Sequence, residues 1–236
     1  MDLKIITKNL WNLIFPIECI FCKDDGKWIC NSCFNKLNFK TSQTCPRCGR
    51  VDINNKICPH CSSFFYFDKL TIVGDYNDEK IKKTIKLLKY KFVKDLGKNL
   101  SDYVALFLSE KNEKDIKKIY PQNTILIPIP IHKKRERWRG FNQSELIGKK
   151  LANNLGISFE DKLKRIKYKK PQTKLRRRER IKNVENCFSW EGDSLKNKKI
   201  LLLDDVITTG ATLNEAARIL KEEGAKKIEA LVVASE

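Results

Sequence analysis

Eight of the nine cysteines fall into four C-x-x-C pairs: Cys19/Cys22, Cys30/Cys33, Cys45/Cys48 and Cys58/Cys61. Two residues between cysteines let a tight turn present both thiolates to one ion, and two such turns complete a tetrahedral zinc site. Four pairs therefore give two four-cysteine sites, structural because no coordination position is left for water. The short spacers favour sequential pairing, with Cys19, Cys22, Cys30 and Cys33 in one site and Cys45, Cys48, Cys58 and Cys61 in the other. Each spacer suits a small ribbon hairpin. Interleaved pairing is the alternative. Disulfides or a redox motif explain four regular pairs less well than metal does. A segment this small cannot fold on apolar burial alone, and zinc would contribute on the order of 10–16 kcal/mol per site. Gly49, next to Cys48, tolerates the positive φ that such a turn needs. His60 reads as a surface residue and Cys187 as a small core residue.

The rest of the chain excludes several classes. No run of about 18 apolar residues exists, so no transmembrane helix is expected. The apolar stretch from Leu10 to Phe21 is broken by Asn12, Pro16 and Glu18 and lacks a small-residue cleavage site, unlike a secretory signal. The expected location is the cytoplasm, where paired cysteines more often hold metal than form disulfides. There is no GxxxxGK[ST] loop and no GxGxxG fingerprint, which argues against a P-loop ATPase and a dinucleotide-dependent dehydrogenase.

After residue 66 the pattern changes, dividing the chain into a zinc-binding module, 1–66, and a second domain, 67–236. Strands are expected at Leu70–Tyr76, Thr124–Ile131, Ile200–Asp204 and Ile228–Ala234. Helices are expected at Glu79–Tyr90, Lys94–Ser109, Gln143 to near Gly156, and Leu213–Glu223, from apolar residues at helical spacing. Asn142 to Glu145 resembles a capping box, as does the Thr212/Glu215 spacing. Strands alternating with helices indicate an α/β domain with a mostly parallel sheet flanked by helices.

Within that domain, Ile200-Leu-Leu-Leu-Asp-Asp-Val-Ile-Thr-Thr-Gly-Ala-Thr212 carries the sharpest chemistry. Two carboxylates end a buried strand, a Thr/Gly loop follows, and a helix begins. Such a loop offers backbone N–H groups, hydroxyls and a positive helix end to a phosphate. Asp204 and Asp205 would repel phosphate; they suit ribose hydroxyls, or a Mg²⁺ facing a pyrophosphate. All thirteen positions resemble the phosphoribosyl-pyrophosphate motif of type I phosphoribosyltransferases. The stretch from Ile127 to Gln143, with its Pro-Ile-Pro and Arg139-Gly-Phe-Asn-Gln143, is similar to the signature of the ComF family. Lys89 and Tyr90 before it, and Gln172, Thr173, Arg180, Asn183 and Val184 after it, follow that family's order. The resemblance covers nearly the whole chain.

This resemblance implies a double zinc ribbon followed by a type I phosphoribosyltransferase-like domain, and a part in natural competence, the uptake of DNA. It implies that Asp204 and Asp205 contact the ribose, that Thr208, Thr209, Gly210, Ala211 and Thr212 hold the 5-phosphate, and that Arg137 and Arg139 approach the pyrophosphate. Zn²⁺ would be structural, and Mg²⁺ would accompany phosphoribosyl pyrophosphate. No reader for an acceptor group stands out, so a phosphoribosyltransferase with an unspecified acceptor is one expectation. The other is a non-enzymatic accessory factor that uses the sugar-phosphate site as a sensor and binds single-stranded DNA or a competence helicase.

Charge bears on that second expectation. The chain carries a formal +19. Lys162 to Lys182 holds 12 Lys and Arg against one acid, Glu179, and Lys133 to Arg139 holds five against Glu136. Blocks like these could neutralise nucleic-acid phosphates. Arg176, Arg177 and Arg178 are the candidate contacts, with Tyr168 and Trp138 able to stack on bases. The plain alternative is a solvated basic surface.

Overall fold

The computed structural model describes residues 16–52, 57–111, 119–167 and 184–236. Tyr168, Gln172, Thr173, Arg176, Arg177, Arg178, Arg180 and Asn183, singled out above, lie outside the described residues.

Five parallel strands form the central sheet: β3 (Lys69–Asp75), β4 (Thr124–Pro128), β5 (Ser158–Phe159), β8 (Lys199–Ile207) and β9 (Lys227–Ser235), in the order β3-β9-β8-β4-β5. Buried on both faces, β8 and β9 read as near-continuous apolar runs. Alternation along each strand deals these residues to two cores. Leu126, Leu201, Leu203, Leu231 and Val233 face one way. Ile125, Ile127, Ile200, Leu202, Ala230 and Val232 face the other.

Helices α2 (Glu79–Tyr90), α3 (Leu96–Lys111) and α5 (Gln143–Leu155) belong to the first face. Asp78 caps α2, its side chain accepting from the backbone N–H groups of Lys80 and Ile81. α5 lies close to the sheet at Gly148, where a Cβ would stand 2.8 Å from Leu126 and 3.3 Å from Leu203. The second face carries α6 (Ala211–Glu222), whose Leu213, Ala216, Ala217 and Leu220 are buried one turn apart. It also carries an antiparallel ribbon of β6 (Leu163–Arg165) and β7 (Phe188–Trp190), where Cys187 is buried.

The N-terminal segment holds α1 (Asn31–Phe34) and a hairpin of β1 (Gln43–Thr44) and β2 (Val51–Asp52). Its core is continuous with the sheet's first face. Cys19, Ile20, Ile29, Cys30, Cys33 and Leu37 share one buried cluster with Leu88, Leu96, Tyr103 and Phe107. Phe39 packs on the rings of Tyr103 and Phe107 at 5.0 and 5.3 Å. Tyr103 donates to Asn38 O, and Lys83 donates to Ile20 O. Farther along, Gln43 offers its side-chain amide to both backbone groups of Ile72 on β3, at 2.7 and 2.9 Å.

Several sequence expectations need correction. β4 stops at Pro128 rather than Ile131, since Pro130 has no N–H for the ladder. β8 does not end at the carboxylates but continues to Ile207 along β9. α6 begins at Ala211 with Gly210 as its cap, so Thr212 and Glu215 do not form a capping box. Glu215 instead accepts from Asn186 N and pairs with Arg218. Asn142 does cap α5 through Ser144 N, but Glu145 turns away to Lys149. A tight turn closes around the first pair of each cysteine site: Cys45 N donates to Arg50 O and Gly49 N to Cys45 O, while Cys19 N donates to Asp24 O and Lys23 N to Cys19 O.

Candidate functional site

The four thiols of Cys19, Cys22, Cys30 and Cys33 gather in one cluster, and those of Cys45, Cys48, Cys58 and Cys61 in another. Within each, every pair of sulfurs lies within 4.8 Å. This is the sequential pairing. Cys22 to Cys30 measures 3.5 Å and Cys48 to Cys58 3.7 Å. A tetrahedron with Zn–S bonds of about 2.3 Å has edges of about 3.8 Å, so the donor sets fit zinc. The thiol chemistry also calls for a cation. Burial and the neighbouring cysteines push the Cys33 and Cys61 thiols up to about 12, so four thiolates coexist only around a metal. Gly49 and Lys23 hold equivalent places in the two turns, with φ of 76° and 69°. His60 is exposed beside its cluster.

The second site lies at the carboxyl ends of β4 and β8. From β4 the chain crosses through α5 outward to β5; from β8 it crosses through α6 to β9 on the other side. The two neighbours thus diverge, and β8 runs past the end of β4. Such a switch point is where open α/β sheets bind ligands.

Asp204 and Asp205 sit at this opening. Asp205 is 4% exposed and faces Lys89 Nζ at 2.5 Å. Its Oδ1 accepts from Gln143 Nε2 at 3.4 Å, and Gln143 Oε1 accepts from Arg139. Burial alone would discharge Lys89, but the Asp205 carboxylate, with Asp204 beyond it, holds the ammonium above its ordinary range. Asp204 accepts from Ser144 Oγ at 3.1 Å and from Asp205 N at 2.9 Å. Burial first, and Asp205 next, push its carboxyl up to about 7.

Arg139 and Arg137 part company. Arg137 is exposed on the short helix α4 (Lys133–Arg139), whereas Arg139 is 9% exposed, with its guanidinium 5.9 Å from the Tyr90 ring. Its Nε is buried with no hydrogen-bond partner among the described residues. The corner is strongly cationic. Burial and the charges of Arg165, Arg137, Arg135 and Lys134 hold His132 below its ordinary range.

Thr208, Thr209 and Gly210 form the turn from β8 into α6. Gly210 has φ 75°, and a Cβ there would stand 3.3 Å from Pro46 of the second cysteine cluster. Thr208 is exposed; Thr209, Ala211 and Thr212 are partly buried around the helix start. A cavity of about 410 Å³ opens beside Thr209, Gly210 and Ala211 rather than over the acid pair.

Two family models match: a double zinc ribbon domain over residues 10–62 and a phosphoribosyl transferase domain over 142–236. Over 91% of its length the chain is 35% identical to competence protein ComFC of Bacillus subtilis (strain 168), covering 84% of that protein. The chain belongs to the ComF family. Competence protein F of Haemophilus influenzae is 27% identical, with 91% and 95% of the two chains covered. DNA utilization protein YhgH of Escherichia coli (strain K12) is 26% identical, with 92% and 96% covered.

The ComF signature gains physical content from this geometry. Asn142 Nδ2 holds Ile129 O, Gln143 bridges Arg139 to Asp205, and Ser144 reaches Asp204. The sequence gives Asn142 a capping role but shows no task for Gln143 or Ser144. Nothing local signals the contacts of Gln143 and Ser144 with the acid pair, because those partners lie about 60 residues away in the chain. Lys89, a weak match in the sequence, proves to be the cation against Asp205.

Proposed function

We propose that this ComF-family protein binds phosphoribosyl pyrophosphate with Mg²⁺ at the β4–β8 opening, and that it serves natural competence and the use of DNA. The observation carrying this reading is the buried chain Lys89–Asp205–Gln143–Arg139 set beside the Thr208–Thr212 turn. Asp204 and Asp205 offer hard oxygen donors to ribose hydroxyls or Mg²⁺. The turn and helix start suit the 5-phosphate. Arg139, with a buried N–H lacking an acceptor, and the exposed Arg137 suit pyrophosphate oxygens. Phosphoribosyl transfer fits such a site, because displacing pyrophosphate needs charge stabilisation and alignment rather than a covalent protein nucleophile. The acceptor is left open.

Calorimetric titration of phosphoribosyl pyrophosphate with Mg²⁺ into zinc-loaded protein should give saturable binding. Asp205→Asn should abolish it while circular dichroism stays native. Undiminished binding in that variant, or none in the parent protein, would sink the assignment.

A second reading, contact with single-stranded DNA, is favoured by the site's rim. Tyr90, Phe92 and Trp138 are 53%, 41% and 62% exposed, and the last two rings stand 5.3 Å apart. Phe92 holds a φ of 59°, which bulky residues seldom adopt. Rings set among cations suit stacked bases with nearby phosphates. About six phosphate contacts would make affinity for an oligothymidylate fall roughly a thousandfold or more between 50 and 200 mM salt. Trp138→Ala should weaken binding without changing that slope. Salt-insensitive binding would count against this reading.

A further inference from the structure

The cavity beside the Thr209–Ala211 turn is walled on its other side by the zinc module. Arg47, in the turn between zinc ligands Cys45 and Cys48, lines it together with Phe64, Tyr66, Asn214 and Arg218. The two walls are tied to each other by direct contacts. Asn214, one turn into α6, spends its side-chain amide on the module's exit: its Oδ1 accepts from Tyr66 N at 2.7 Å, and its Nδ2 donates to Phe64 O at 3.0 Å. The Phe64 ring so placed carries the Arg47 guanidinium 3.5 Å from its centroid. Next to Arg47, Pro46 packs at Gly210, where a side chain would crowd the pair. Arg218 is committed elsewhere, its charge balanced by Glu215 and Glu222 and its fork extended to Asn186.

We propose that the second zinc knuckle is part of the sugar-phosphate site, with Arg47 as a binding residue for the 5-phosphate held at the Thr209–Ala211 turn. The inference rests on the reading that this turn binds a phosphoribosyl group. The helix start supplies backbone N–H groups but no full charge, and the acid pair does not line this cavity. A guanidinium held flat on an aromatic ring is oriented in advance, so less freedom is lost when it grips phosphate oxygens. The zinc ion would act at one remove, by holding the Cys45–Cys48 turn in shape.

The test compares two ligands in zinc-loaded protein: ribose 5-phosphate, which carries the phosphate this site reads, and inorganic pyrophosphate with Mg²⁺, which does not. Arg47→Ala should weaken ribose 5-phosphate binding about 10- to 100-fold, the size expected for a charge-assisted contact, and leave pyrophosphate binding unchanged. Arg47→Lys should recover part of the loss, and zinc content should stay at two per chain in both variants. Equal loss for both ligands would mark Arg47 as a structural residue and overturn the proposal, as would undiminished ribose 5-phosphate binding. Failure of the parent protein to bind ribose 5-phosphate overturns the underlying reading instead, and this proposal with it.

Discussion

Cys33→Ser should unfold far more than the zinc ribbon that contains it. A structural zinc site is worth on the order of 10–16 kcal/mol, as much as the whole stability of a typical domain, about 5–15 kcal/mol. Were the ribbon an appendage, its loss would leave the sheet and helices intact. Its buried residues instead belong to the core of α2 and α3. Hydrogen exchange should show protection in Glu79–Tyr90 and Leu96–Lys111 collapsing with the ribbon, alongside a fall in melting temperature of ten degrees or more. Cys58→Ser in the second cluster should act differently. That cluster is a small one backed by Phe65, and its loss should loosen the Thr208–Thr212 turn more than α2 and α3. Native exchange in both helices of the Cys33 variant would show that the shared core does not couple the two.

Asp204→Asn should stabilise the fold while removing its ligand. Asp204 is held with its carboxyl up to about 7 by burial and by Asp205. In the unfolded chain it ionises in the ordinary carboxylate range, near 4. The folded state therefore binds the proton more tightly. Its contribution is most favourable below the unfolded value, erodes as pH rises through the folded one, and is a constant penalty above about 7. Asparagine stays neutral throughout and keeps an oxygen to accept from Ser144 and from Asp205 N. Urea unfolding without Mg²⁺ should show a gain of about 2–4 kcal/mol at pH 8, shrinking toward zero near pH 4. A variant no more stable than the parent at pH 8 would refute the account. The gain would also show that the acid pair is kept at a cost to stability, as expected of a site that awaits a cation.

What the sequence disclosed follows from the range of the interactions involved. Cysteine spacing and the strand–turn–helix of Ile200–Thr212 are local: the cysteines group as expected, and strand, turn and helix follow in the expected order. The apolar run of β8 was legible, but its true end was not, because the ladder with β9 carries it two residues beyond the carboxylates. The Thr212/Glu215 spacing misled because Glu215 has a stronger use against Arg218 and Asn186 N. The short strands β5, β6 and β7 carry too few residues to show a period. Gln143, Ser144 and Lys89 take their meaning from contacts with a pair of carboxylates that the chain reaches 60 residues or more later.

One contact bears on how the edge of the sheet is finished. Among the described residues, β3 is an outer strand paired with β9. An outer strand ordinarily offers its unpaired backbone as a template for another chain. Here the Gln43 amide occupies both backbone groups of Ile72, and Lys40 N takes Val73 O. At Ile72 and Val73 the N-terminal segment thus works as selvedge, finishing the woven edge against being sewn to a neighbour. A truncation beginning at Phe67 would uncover that margin in a sheet rich in Ile, Leu and Val, and self-association through β3 is the fate to expect of it.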